Sequence, residues 1–344
     1  MVTFTDLPDL ATRRLGGAVL AANDESFAEK ESLVRHAEPT FTPHTFGHKG
    51  QVYDGWETRR RREPGHDWAI VRLGAPGVIR GVVVDTAFFK GNYPPEVSVE
   101  GCAVDGYPTV EDLAAATWRT LVPRSPARGD TRNGYGVGDP HRFTHVRLTM
   151  HPDGGVARLR VHGEPVADPR LFADLPIDLA ALRNGGGIAD ASDTFFSRAD
   201  NAISPGDPLS QGDCWETARR RDDGHDWITV RLAGRGVVRA AELDTTHLKY
   251  NAPGAARLRG FDAASDRPVD DDAAWFDLLP RTDLRPDTPH RFVLDPVPAA
   301  THVRLDIYPD GGMGRLRLFG SLTPEALDAL HRRHAELDPN VGAP

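Results

Sequence analysis

Two stretches of this chain are near copies of each other, and that duplication limits the possible folds more than anything else in the sequence. Gly55–Trp68 reads GWETRRRREPGHDW, and Asp213–Trp227 reads DCWETARRRDDGHDW. Trp56 matches Trp215, His66 matches His225 and Trp68 matches Trp227, each 159 residues apart (215 − 56, 225 − 66, 227 − 68). A fixed spacing of this length marks a tandem duplication of one structural unit. The lead-in Phe4–Gly17 is repeated at Phe172–Gly186 with a spacing of 168 to 169, so about ten extra residues lie in the first copy, within Lys30–Asp54. The expected domains are therefore 1–169 and 170–344.

Each copy reads as strand after strand. DWAIVRL at Asp67–Leu73 alternates polar and apolar residues, as does DWITVRL at Asp226–Leu232. The β-branched runs Gly77–Phe89 and Gly236–Leu248 follow, then Glu96–Val104 and Ala256–Ala263. Near the end of each copy, PDGG (Pro152–Gly155 and Pro309–Gly312) stands between two more strands, Thr144–Met150 and Val156–Val161 in one copy, His302–Tyr308 and Gly314–Phe319 in the other. Asp-Gly-Gly accepts positive φ, so a hairpin is expected at each PDGG. Helix is expected only as a turn within Glu111–Trp118 and as a short C-terminal helix capped by Thr323, with Pro324 in its first turn. The resulting fold class is all-β: a tandem duplication of a jelly-roll β-sandwich of galactose-binding-like type, ending in a short helix.

A net charge of −9 argues against non-specific nucleic-acid binding despite the local arginine run. No apolar run is long enough to span a bilayer, so no membrane association is expected. The start of the chain lacks a signal-peptide pattern, and two cysteines at unrelated positions, Cys102 and Cys214, form no disulfide framework. A cytoplasmic protein is the expectation. No HxH, HExxH or paired-Cys metal motif, phosphate-binding glycine loop or GxSxG elbow is present. No cofactor is evident; carboxylates converging from loops would still suit a divalent cation such as Mn2+ or Ca2+, which leaves a metal open.

WETRRRREPGHDW, then VDTAFFKGNYP, a strand ending EGC, and HRFTHVRLTMHPDGG together resemble the allantoicase family over nearly the whole chain, in both repeats. The resemblance implies an amidinohydrolase of purine catabolism that splits allantoate into ureidoglycolate and urea. The alternative is a non-catalytic tandem sandwich that binds a small carbohydrate or carboxylate.

Allantoate carries a carboxylate and two ureido groups on one carbon. An arginine fork suits the carboxylate, Asp, Glu and Asn suit the ureido N–H groups, and loss of urea requires acid and base groups. The candidate substrate-binding residues are Arg60, Arg61, Asn92, Arg219, Arg220 and Asn251. Glu57, His66, Asp85, Lys90, Glu216, His225, Asp244, His247 and Lys249 are the catalytic candidates. Each also has a purely structural reading. The arginines are solvated or paired, the glutamates form ion pairs with the adjacent arginines, and the histidines cap loops. Asp85 and Asp244 pair with Lys90 and Lys249 to close a sandwich corner. His247 stands where repeat one has Phe88, so the two copies are expected to be unequal. Self-association into a homo-oligomer, through the arginine segments or the C-terminal helix, is also expected.

Overall fold

The computed structural model describes residues 3–173, 175–265, 268–269 and 271–340. Residues 1 and 344, the outer bounds expected for the repeats, lie outside that set. The chain forms two compact units. One runs to Val166 and also takes in the chain from His334; the other is Ala167–Arg333.

The first unit contains β1 (Ala18–Ala22), β2 (Phe46–Gly47), β3 (Gly50–Gln51), β4 (Trp56–Glu57), β5 (Asp67–Asp85), β6 (Glu96–Cys102) and β7 (Arg119–Pro126), with helix α1 (Val110–Ala115) between β6 and β7. It continues with β8 (Arg132–Gly136), β9 (Arg142–His151), β10 (Gly155–Val156) and β11 (Arg158–Pro165). Two expected strands are in fact one: Asp67–Leu73 and the run from Gly77 join as the 19-residue β5. The pairing register shifts between Arg72 and Gly77, so the strand bends there without ending. β1 and β9 flank its first half, and β11 and β8 flank its second. From β9 the sheet extends to β6 and β7. β-branched residues on these strands fill the core; Val71, Val82, Val84, Val97, Val99 and Val146 are fully buried.

The second unit repeats the plan with β12 (Ile177–Asp178), β13 (Gly187–Ala191), β14 (Trp215–Glu216), β15 (Asp226–Asp244), β16 (Ala255–Phe261) and β17 (Phe276–Asp283). β18 (Pro289–Val293), β19 (Ala300–Tyr308), β20 (Gly312–Met313) and β21 (Arg315–Leu322) complete it. β15 takes the place of β5, with β13 and β19 along its first half and β21 and β18 along its second. Helix α2 (Pro324–Glu336) starts at Thr323, whose hydroxyl accepts from Ala326 N at 3.3 Å. Among the described residues no helix is long and apolar enough to cross a membrane.

The PDGG segments are not hairpins. β9 and β11 both pair with β5, and β10 pairs with β4, so the chain turns a corner at Pro152–Gly155. Gly154 and Gly311 do adopt positive φ (149° and 124°). That freedom serves a corner as well as a two-strand turn, and only the sheet pairing separates the two. Asp153 in the first corner accepts the backbone N–H of Arg61 at 2.8 Å, and Asp310 accepts that of Arg220 at 2.7 Å.

Candidate active site

In the two-residue strand β4 successive side chains face opposite ways, so Trp56 enters the core while Glu57 points out of it. Trp56 is 0% exposed and donates its indole N–H to Asp24 O at 2.8 Å; Trp215 does the same to Asp193 O at 2.9 Å. Gly155, opposite Glu57, must be glycine, because a Cβ there would lie 2.1 Å from the Phe89 ring. The Glu57 carboxyl receives the Asn92 amide at 2.6 Å and meets no arginine among the described residues, so the expected arginine ion pair is absent. Burial pushes the Glu57 pKa up, and the Asn92 hydrogen bond only partly opposes it. Glu216 receives Asn251 at the same 2.6 Å and also Gln211 at 3.0 and 3.2 Å. Repeat one has Val52 at the Gln211 position (211 − 159), so Glu57 lacks that second donor.

The arginine run divides by position. Arg60 and Arg219 are exposed. Arg61 is turned in, its Nη1 2.6 Å from Asp67 Oδ1, and Arg220 Nη1 lies 2.7 Å from Asp226 Oδ1. Asp67 and Asp226 are each 1% exposed, and in each the Oδ2 atom has no hydrogen-bond partner among the described residues. These pairs tie the repeated block to the start of β5 and β15.

The two histidines have different surroundings. His66 is exposed, with its ring 5.5 Å from that of His151, whose Nε2 meets Ser98 Oγ at 3.0 Å. Burial first, then the nearby Arg124 and His66 charges, hold the His151 pKa below the usual histidine value. His225 Nε2 lies 3.1 Å from Asp306 Oδ1. Asp306 is 0% exposed and also accepts from Arg304 Nε at 2.8 Å and Arg259 Nε at 3.2 Å. Sequence reasoning missed Asp306 because its counterpart in repeat one is Thr149 (306 − 157), so the duplication does not flag it. A carboxylate in the otherwise alternating strand RLDIY was the available signal.

Asp85 does not pair with Lys90. Lys90 follows the turn Thr86–Phe89 and reaches out to Asp130 Oδ2 at 3.9 Å, with its side chain 78% exposed. The cation beside Asp85 is Arg132, directly across the ladder on β8, with Nε 3.6 Å from Asp85 Oδ2. Cross-strand neighbours are set by register, which the sequence does not display. Burial raises the Asp85 pKa, against a hydrogen bond from Ala87 N to its Oδ1 at 2.8 Å. In repeat two, Lys249 likewise reaches Asp287 at 3.9 Å instead of Asp244, and Pro289 stands opposite Asp244 where repeat one has Arg132. His247 adopts φ 69°, as Phe88 does, and its Nε2 is 3.0 Å from Pro208 O. Positive φ at a non-glycine residue costs on the order of 1–3 kcal/mol. Asp130 and Asp287 offset it by accepting the N–H of Phe88 at 2.7 Å and of His247 at 2.8 Å.

The loop within Lys30–Asp54 is held by a fully buried arginine that sequence reasoning also missed. Arg158 Nη2 meets Asp54 Oδ2 at 2.7 Å and its Nε donates to Ala37 O at 2.9 Å. Arg315 plays the same part with Asp213 at 2.9 Å. No three His, Cys, Asp or Glu side chains among the described residues are grouped to hold a metal ion.

Two jelly-roll sandwiches, each presenting a half-buried glutamate held by an asparagine amide, define a tandem-repeat β-sandwich protein with one framework site per copy. The allantoicase repeat matches residues 8–166 and again 177–323, and the chain belongs to the allantoicase family. It is 57% identical to a probable allantoicase of Nocardia farcinica over 322 residues, covering 93% of this chain and 95% of that protein. To a probable allantoicase of Streptomyces coelicolor it is 53% identical over 347 residues, covering 97% and 90%. The crystal structure of allantoicase from Saccharomyces cerevisiae superposes with a TM-score of 0.77 at 32% identity, covering 92% of this chain and 93% of the other.

Proposed function

We propose that this chain hydrolyses allantoate to ureidoglycolate and urea in purine catabolism, with Glu57 and Glu216 as its acid–base groups. The observation that carries the reading is the Glu57–Asn92 pair on a full-length allantoicase framework. Urea leaves only when its departing nitrogen gains a proton. A carboxyl in its acid form supplies that proton, which burial favours at Glu57, and its conjugate base then takes one from the water that adds to the central carbon. Overall, allantoate and water give ureidoglycolate and urea. Asn92 keeps the carboxyl oriented in both states, and Asn251 does so for Glu216. Asp85, Asp244, His66, His225, His247, Lys90 and Lys249 are assigned to the rims of these sites. Arg60, Arg61, Arg219 and Arg220 supply cationic surroundings. The duplication is read as 1–169 and 170–344.

The sugar-binding alternative is not favoured, because the relatives matched through both repeats are allantoicases. Incubating the purified protein with allantoate and assaying urea tests the reading, and urea no higher than in an enzyme-free blank removes it. Two buried free thiols fit a cytoplasmic location, which fractionation checks. Exposed apolar side chains in repeat two, Phe195, Phe196, Leu209 and Tyr250, fit self-association. A solution mass equal to the 37.6 kDa chain counts against it.

A further inference from the structure

The extra residues of repeat one build a feature of their own. They bring Glu38 to the edge of a cavity of about 320 Å3 that is also lined by Asp85, Phe88, Asp130 and Arg132. That volume sits at the lower end of the roughly 300–1,000 Å3 range of small-molecule pockets. An aromatic ladder braces its wall. Phe41 stacks on Phe88 at 5.6 Å and on Tyr53 at 5.2 Å, and Tyr53 stacks on Phe89 at 4.8 Å. Repeat two has Pro289 for Arg132 and His247 for Phe88, with His247 held against Pro208.

The chemistry of the lining selects its occupant. Arg132 presents a guanidinium fork that is 66% exposed and is engaged by Glu38, itself 68% exposed. An exposed pair of this kind is worth little, so an incoming carboxylate can displace Glu38. Asp85 is 4% exposed as a residue, and its Oδ2 lies beyond hydrogen-bond distance of Arg132 at 3.6 Å, so that oxygen is free to accept an N–H. Asp130 Oδ2 has only the distant Lys90 at 3.9 Å. A phosphate would meet three carboxylates here, and a bare cation would meet the guanidinium. A molecule that brings both an anion for Arg132 and N–H donors for Asp85 and Asp130 satisfies these three groups together.

We infer that this repeat-one cavity is a binding site for a ureido-substituted carboxylate, with Arg132 holding the carboxylate and Asp85 and Asp130 accepting the ureido N–H groups. Its identification with the substrate site rests on the allantoate reading above. Both copies keep the glutamate–asparagine pair, and Pro289 opposite Asp244 leaves repeat two without the Arg132 guanidinium at that position.

Titrating the full-length protein with ureidoacetate, a single-ureido carboxylate, tests the site by calorimetry, with acetate and urea as controls. Ureidoacetate is expected to bind more tightly than either control. Arg132→Gln should weaken it about tenfold or more, Arg132→Lys less, and both should melt like the wild type. No ureidoacetate binding by the wild type, or equal binding by wild type and Arg132→Gln, overturns the inference. If Arg132-dependent binding holds but the wild type releases no urea from allantoate, the functional reading falls and the site stands.

Discussion

Asn92 donates to Glu57 Oε1 at 2.6 Å, and Asn251 donates to Glu216 Oε1 at the same 2.6 Å. The WE dipeptide and the asparagine after the KG or KY step are 35 residues apart in both copies, and the fold closes that distance identically. The rest of each site varies around this pair.

Replacing Glu57 with Gln separates chemistry from stability. With the folded pKa raised, the Glu57 contribution to stability is fully present below the ordinary glutamate value and is lost as pH rises through the folded one. Glu57→Gln is therefore expected to melt above the wild type at neutral pH and level with it in acid, while kcat falls on the order of 10²- to 10⁴-fold. Melting curves across pH, run beside urea release, check both signs.

Removing a buried charge partner should be costly. Asp67→Ala strands Arg61, whose Nε already lacks a partner, and is expected to destabilise repeat one by about 3 kcal/mol or more. A drop in urea-denaturation midpoint at unchanged m would register it, and a change under about 0.5 kcal/mol would contradict the clamp.

The same logic predicts an asymmetry between the copies. Asp306→Ala leaves Arg259, Arg304 and His225 facing one another and should cost on the order of 3–5 kcal/mol. Thr149→Ala at the matching position of repeat one, an ordinary substitution of a buried residue, should cost about 1 kcal/mol. Equal effects in denaturant titrations would show that Asp306 does not organise the cluster.

Burial pushes the Cys102 thiol up to about 12 and the Cys214 thiol up to about 11. Neither forms useful thiolate at pH 8, so the native protein should resist thiol reagents and release two reactive thiols only on unfolding. Rapid labelling of one thiol in the folded state would refute this.

The duplication and the strand content could be read from sequence because covalent spacing and two-residue alternation record them directly. Of the two tryptophans that frame the first block, both of which read as core residues, Trp56 is fully buried and Trp68 only half-buried. What the sequence hid was partnership across the sheet. Arg132 meets Asp85 through strand register, Asp306 meets His225 across 81 residues, and Arg158 meets Asp54 across 104. Lys90 looked like the partner of Asp85 because it is near in the chain, but the turn at Thr86–Phe89 carries it away. The PDGG corner was misread for a related reason, since its glycines specify a backbone conformation and leave the destination of the next strand open.

One long strand serves both halves of each repeat: β5 in the first and β15 in the second. A half-repeat has no seam along which to peel away, because the strand that would have to leave is also the backbone of what remains. Each repeat should therefore lose its slowest-exchanging amides in a single event, with those of Val71 and Val82, on either side of the bend, becoming open to solvent together.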